Sequence, residues 1–325
     1  MYGKVTAMKR MIVKLSGLML LLLLAAPGTA RAGSRLVAAI VPGDLHRYAE
    51  AHFAFENILR AGGFSADKLE IFTQTPNFDE MSLRNSVRRA VAAGAELIVT
   101  YGALATRAAV DEAGKTPVLF ADVFAPDELG FVQSMQAPGV NRSGASCQVP
   151  FSPLLNKIQE ILPDARVAVL FNPKEPDSEL QFKKLKAEGE SFNLKLFPAR
   201  FADAADKIVS GIGDKADFLL LTHAAGIEAI MEQLLAAASA RNLPVIACSP
   251  AATGKGALLT YAGRAAEQGK LAAVHALQTL AGQKLFLLPV RKPVAAPLVL
   301  DLKVATRLGM AIDDKLTTHI DRVLK

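Results

Sequence analysis

Short, wholly apolar segments alternate with longer helical patterns along this chain, and the alternation runs through twice. Residues 35–41, 68–73, 96–101 and 117–121 read as strands, and residues 47–61, 83–93 and 103–113 as the helices among them. A strand without polar alternation is apolar on both faces. It belongs in a parallel sheet covered by helices on each side. Residues 143–147 read as a strand, taken as a crossing segment, followed by a helix over 151–162. A second series then opens, with strands at 166–171, 194–197, 218–222, 245–248 and 257–261 and helices at 177–191, 202–213, 226–241 and 264–281. Residues 297–304 alternate enough for an edge strand. Two successive series of similar length predict an α/β chain of two similar lobes. Ligands of open α/β sheets bind outside the carboxyl ends of the strands, so two facing lobes would share one cleft.

The first 32 residues predict where the chain works. Lys4, Lys9, Arg10 and Lys14 precede an apolar run of only 12 residues, 15–26, and Ala30-Arg31-Ala32 completes an A-x-A cleavage pattern. A membrane span needs about 20 apolar residues, so the pattern reads as a secretory signal. The expected product starts at Gly33, is soluble and periplasmic, and lacks a lipid anchor because no cysteine lies near the cleavage point. Of the 37 Lys and Arg, five lie in this leader, leaving 32 basic against 31 acidic residues. That balance gives no case for a nucleic-acid partner. Cys147 and Cys248 are the only cysteines, and they either pair as an exported disulfide or sit as buried thiols. No zinc spacing, Gly-x-Ser-x-Gly elbow or Gly-x-Gly-x-x-Gly loop occurs, so neither an enzyme, a metal nor a cofactor is expected.

The stretches ELIVTYGALATRAA, TPVLFADVFAP, GFVQSMQAPGVNRSG, LPDARVAVLFNPKEPDS, VIACSPAATGKGALLTYAGRAAEQG and PLVLDLKVATRLGMAIDDKL occur in this order over most of the chain. As an ordered set they resemble the ABC transporter substrate-binding proteins of the type I periplasmic fold, in the branch related to aromatic amino-acid binders. The resemblance implies two Rossmann-like lobes joined by a three-stranded hinge. With the series above it sets boundaries of 33–143 plus 255–283 for lobe 1 and 144–254 plus 284–325 for lobe 2. It also implies a small organic ligand, a membrane permease as partner and a monomer. A periplasmic subunit that senses the ligand for a signalling system is the alternative, since both roles need the same cleft.

Residues at strand ends are the candidate ligand contacts. In the first series these are Gly43, Asp44, Tyr101, Gly102, Ala103 and Phe124. In the second they are Glu175, Ser178, Thr222 and His223, and Tyr261 and Arg264 follow the last strand. Gly102-Ala103 opens a helix, whose free N–H groups favour an anion. Tyr101, Phe124 and Tyr261 offer rings for stacking. Two departures from the family matter. Where it often has a hydroxyl residue and Asp-Pro, this chain has Phe124-Ala125-Pro126, and where it often has Asp, this chain has Arg264. With those acids gone and a guanidinium added, the expected ligand bears a carboxylate or is otherwise electron-rich, has a flat apolar part to stack on Tyr101, Phe124 or Tyr261, and needs no α-ammonium group.

Overall fold

The computed structural model describes residues 34–202, 204–294 and 296–325. The expected leader lies outside the described residues. The first series forms strands β1 (Arg35–Ile40), β2 (Leu69–Gln74), β3 (Leu97–Tyr101), β4 (Val118–Val123) and β5 (Arg142–Ser146). They make one parallel sheet in the order β2-β1-β3-β4-β5. Helices α1 (His46–Ala61), α2 (Glu80–Ala92) and α3 (Ala103–Glu112) fall between them. Every residue of β3 and β4 is buried, as strands covered on both faces require.

The second series holds α4 (Ser152–Ile161), β6 (Arg166–Phe171), α5 (Pro176–Gly189), β7 (Lys195–Arg200), α6 (Ala205–Ile212), β8 (Phe218–Leu221), α7 (Ala225–Ala229), α8 (Met231–Ser239), β9 (Val245–Ala247) and β10 (Leu259–Tyr261). It is followed by α9 (Ala265–Leu280), β11 (Leu298–Asp301), α10 (Leu302–Arg307), α11 (Asp314–Thr317) and β12 (Arg322–Leu324). The second sheet runs β12-β11-β10-β9-β8-β6-β7, parallel except where β11 meets β10 antiparallel. The architecture is therefore two parallel-sheet α/β lobes.

Several elements depart from the sequence reading. Residues 143–147 form the expected strand for the most part, but it is β5, the edge of the first sheet, and the crossing between lobes comes after it. The helix expected over 226–241 breaks at Ile230 (φ −116°) into α7 and α8. The last expected strand is shorter, because the Asp301 carboxylate accepts from the N–H groups of Lys303 and Val304 and starts α10 instead. β12, which pairs with β11, was not anticipated.

The lobe boundaries also shift. Residues 255–261 were expected in the first lobe, yet β10 pairs with β9 and β11 in the second sheet. Residues from 284 were expected in the second, yet Leu285 and Leu288 belong to the hydrophobic cluster of α1 and α9 on the first sheet. That cluster stays with the first lobe until Arg291, whose N–H donates to Gly144 O and whose O accepts from Ser146 N, both at 2.8 Å. Three segments thus pass between the lobes, after β5, between β10 and α9, and after Arg291.

Candidate functional site

The two lobes meet through buried charge. Arg47 lies in the first turn of α1, and Asp122 near the end of β4. Facing them from the second lobe are His223, just past β8, and Glu228 on α7. Arg47 Nη1 donates to Glu228 Oε2 at 3.0 Å, and Arg47 Nε lies 3.1 Å from Asp122 Oδ2. His223 Nε2 is 3.0 and 3.1 Å from the two Asp122 oxygens, and its Nδ1 is 3.4 Å from Arg47 Nη1. A guanidinium can only donate, so Nδ1 accepts and the ring's proton on Nε2 goes to Asp122. Arg47 Nη2 donates to Tyr48 Oη, and the guanidinium carbon lies 4.6 Å from the centre of the Tyr48 ring. Both Nη atoms of Arg47 are thus hydrogen-bonded inside the protein, while its buried Nε meets Asp122 as an ion pair without a hydrogen bond.

The local backbone is built to aim Asp122. Its φ is +59° and that of Ala125 is +45°, both in the left-handed region that disfavours non-glycine residues. The pairing of β4 with β5 shifts register between Phe120 and Val123. This irregularity within β4 turns the carboxylate toward the second lobe, where His223 meets it. Burial raises the Asp122 pKa, but the facing His223 and Arg47 outweigh it and hold the group well below the usual carboxylate range. Asp177, at the start of α5, has no basic partner that close. Burial, and then Glu175 beside it, push its pKa up to about 7.

Beside this network is a small interlobe cavity of about 30 Å³, lined in part by Asp122, Phe124, Phe151, Gln181, His223 and Tyr261. Phe124 and Phe151 stack across the lobes, with ring centres 5.8 Å apart. A larger outer cavity of about 530 Å³ shares Phe124, Val149, Phe151 and Tyr261 with it and opens beside the crossing segments. Cys147 and Cys248 are both free thiols and both line the inner cavity. Burial pushes Cys248 up to about 12 and Cys147 well above its ordinary value. Ligating atoms of Asp122, Cys147 and His223 lie within 4.8 Å of one another. Asp122 already takes the His223 proton and faces a guanidinium, so these atoms work as a hydrogen-bond network.

The structure sorts the candidates read from the sequence. Phe124, His223 and Tyr261 line the inner cavity. The others do not. Tyr101 is fully buried in the first lobe, where its hydroxyl meets His52 Nδ1 at 3.1 Å, so it offers no face to a ligand. Gly102 does start a helix, but a Cβ there would lie 2.0 Å from Tyr48 Oη. Tyr48 therefore fills the space above Gly102-Ala103 that an anion was expected to take. Gly43 is likewise covered, by Phe78, and Asp44 is exposed. The Glu175 carboxylate accepts from the N–H groups of Ala225 and Gly226 and from Asn172 Nδ2 at 2.7–2.8 Å, so it caps α7. Ser178 and Thr222 are buried and bond to each other at 2.7 Å. Arg264 precedes α9 and is exposed, and its side chain has no hydrogen-bond or ion-pair partner among the described residues.

Arg47, Asp122, Asp177 and Glu228 were missed. Arg47, Asp177 and Glu228 sit within predicted helices, where a charge normally means a solvated face. Asp122 carried the clearer signal, an acid directly after a wholly apolar strand.

The sequence profile of the ABC transporter substrate binding protein family matches residues 37–324. The chain belongs to that family. A tyrosine-binding protein of Clostridioides difficile (strain R20291) is 23% identical over 227 residues, which span 69% of this chain and 66% of that protein, just under two thirds of it. An ABC domain from Streptococcus pneumonia in complex with L-Trp superposes with a TM-score of 0.84 and 19% identity, covering 90% of this chain and 100% of that one. The ligand-free, open structure of a substrate binding protein with adhesive properties from Clostridium difficile covers 90% and 99%, at 21% identity and a TM-score of 0.69. At such identities the structures establish a shared fold.

Proposed function

We propose that this member of the family is an extracytoplasmic solute-binding protein that closes two lobes on a small organic ligand and presents it to an ABC transporter permease. The observation that carries this reading is the interlobe cavity, where Asp122 and Phe124 of one lobe face His223 and Phe151 of the other. Closure of this kind couples binding to a shape that a permease can recognise. Relatives of the same fold described with bound L-Trp or as tyrosine-binding support a small, partly flat ligand. The leader pattern supports export, and among the described residues no helix is long and apolar enough to cross a membrane.

The reading includes binding without turnover. A thermal-shift screen of the purified protein against amino acids, amines, carboxylates, nucleobases and vitamins should return a ligand that raises the melting temperature, because it binds only the folded state. Mass spectrometry of that ligand after incubation should show it unchanged. A ligand converted to product would instead make the cleft an active site, and a screen with no stabilising compound would count against solute binding.

A further inference from the structure

The charges around the inner cavity do not balance. Asp122, Glu228 and Asp177 meet a single guanidinium, Arg47, and one imidazole, His223. Asp122 and Glu228 alone exceed Arg47 by one negative charge. Among the described residues, no lysine or arginine lines the inner cavity. The helix start that would have received an anion is covered by Tyr48, and Arg264 stands outside in solvent. The side-chain amides are already used. Gln181 clasps the His223 backbone through both its atoms, while Gln268 joins Asp122 N to Ser146 O. A carboxylate entering this cavity would find no free donor among these groups. It would face a buried acid instead.

The walls favour the opposite charge. Asp122 lines the cavity together with the rings of Phe124, Phe151 and Tyr261. Aromatic faces and a carboxylate together attract an organic cation, and more so when water is excluded. The cavity volume of about 30 Å³ exceeds the roughly 10–15 Å³ that one water needs, which leaves room for an ammonium head group. The remainder of such a ligand would extend past the shared aromatic walls into the outer cavity, where Lys184 and Lys292 are offset by Glu188 and Asp321.

We propose that the inner cavity takes the cationic head of a small organic amine that lacks an adjoining carboxylate, held between Asp122 and the rings of Phe124, Phe151 and Tyr261. This rests on the solute-binding reading and reverses the ligand charge expected from the sequence. The elevated Asp177 pKa is consistent with it, since an incoming positive charge would draw that pKa down and release a proton near neutral pH.

Calorimetry at pH 7 with three matched probes tests it: 2-phenylethylamine, 3-phenylpropionate and L-phenylalanine. The amine should bind about 100-fold more tightly than the acid and also more tightly than the amino acid. Asp122→Asn should weaken the amine about 30-fold or more, and Phe124→Leu about 3- to 10-fold. The second variant leaves the charge network intact, so it still reports if Asp122→Asn folds poorly. Stronger binding of the acid or the amino acid would overturn the proposal while leaving solute binding in place. Unchanged amine affinity in both variants, or no binding of any probe, would also overturn it. Solute binding itself stands or falls on the separate thermal-shift screen.

Discussion

The ends of β3 and β4 lie side by side in one sheet, yet they have opposite fates. At the end of β3 come Tyr101, Gly102 and Ala103, a ring and a helix start that look made for a ligand. The protein fills that place itself, with His52 on the Tyr101 hydroxyl and Tyr48 over Gly102. Near the end of β4 an aspartate interrupts an apolar run, on a strained backbone, and it reaches across to the other lobe. The difference lies in α1, which packs on the first sheet and brings Arg47, Tyr48 and His52 to these strand ends. One helix closes the first opening and charges the second. A strand end is thus a site only if the next helix leaves it open.

Arg47 is the residue common to both openings, so its loss should have the largest effect. Arg47→Met leaves Asp122 and Glu228 buried without their cation, and chemical denaturation should show a loss of about 3–5 kcal/mol. A loss below about 1 kcal/mol would mean that the cluster is well hydrated and not the core of the lobe contact.

Gly102→Ala probes the filled opening. The new Cβ would meet Tyr48 Oη at a backbone φ of +80°, where only glycine is at ease. Stability should fall by about 2–3 kcal/mol, from strain and the displaced Tyr48 together. An unchanged melting temperature would show that Tyr48 moves aside freely and that the helix start is available to an anion after all.

Asp177 gives a smaller and pH-dependent effect. Its folded pKa, about 7, is raised above the unfolded value of about 3.9. Its stabilising contribution is therefore fully present below about pH 4 and is lost as the pH rises through about 7. Asp177→Asn should be stabilised relative to the wild type progressively more from pH 4 to pH 8. A constant difference across that window would place Asp177 in a solvated or paired setting.

Arg264→Ala should do least. An exposed side chain without a partner predicts less than a twofold change in the affinity of any stabilising ligand, whereas a bidentate grip on a carboxylate would cost about 30-fold or more.

The order of strands and helices was legible because unbroken apolar runs such as Leu97–Tyr101 can only be strands buried on both faces. The ends of elements were less so. Asp301 reads as part of a strand until its carboxylate is seen capping α10, and β10 reads with the helix that follows it until its pairing is known. The cleft was half legible. Phe124, His223 and Tyr261 stand at strand ends, where the rule for open sheets looks. Arg47 and Glu228 stand 181 positions apart on helices, and nothing in either local pattern announces that they meet. Position relative to a strand can be read from a sequence, but which side chain fills the space beside it depends on packing from elsewhere.

The central claim is that Arg47, Glu228, Asp122 and His223 hold the two lobes together around the cavity. Small-angle scattering of the ligand-free protein and of Glu228→Gln, which keeps the side chain's shape and removes one charge of the cross-lobe pair, tests it directly. The wild-type profile should fit this arrangement of the lobes, and the variant should show a larger radius of gyration, reduced again by a saturating ligand. Identical profiles for the wild type and Glu228→Gln, with or without ligand, would contradict it.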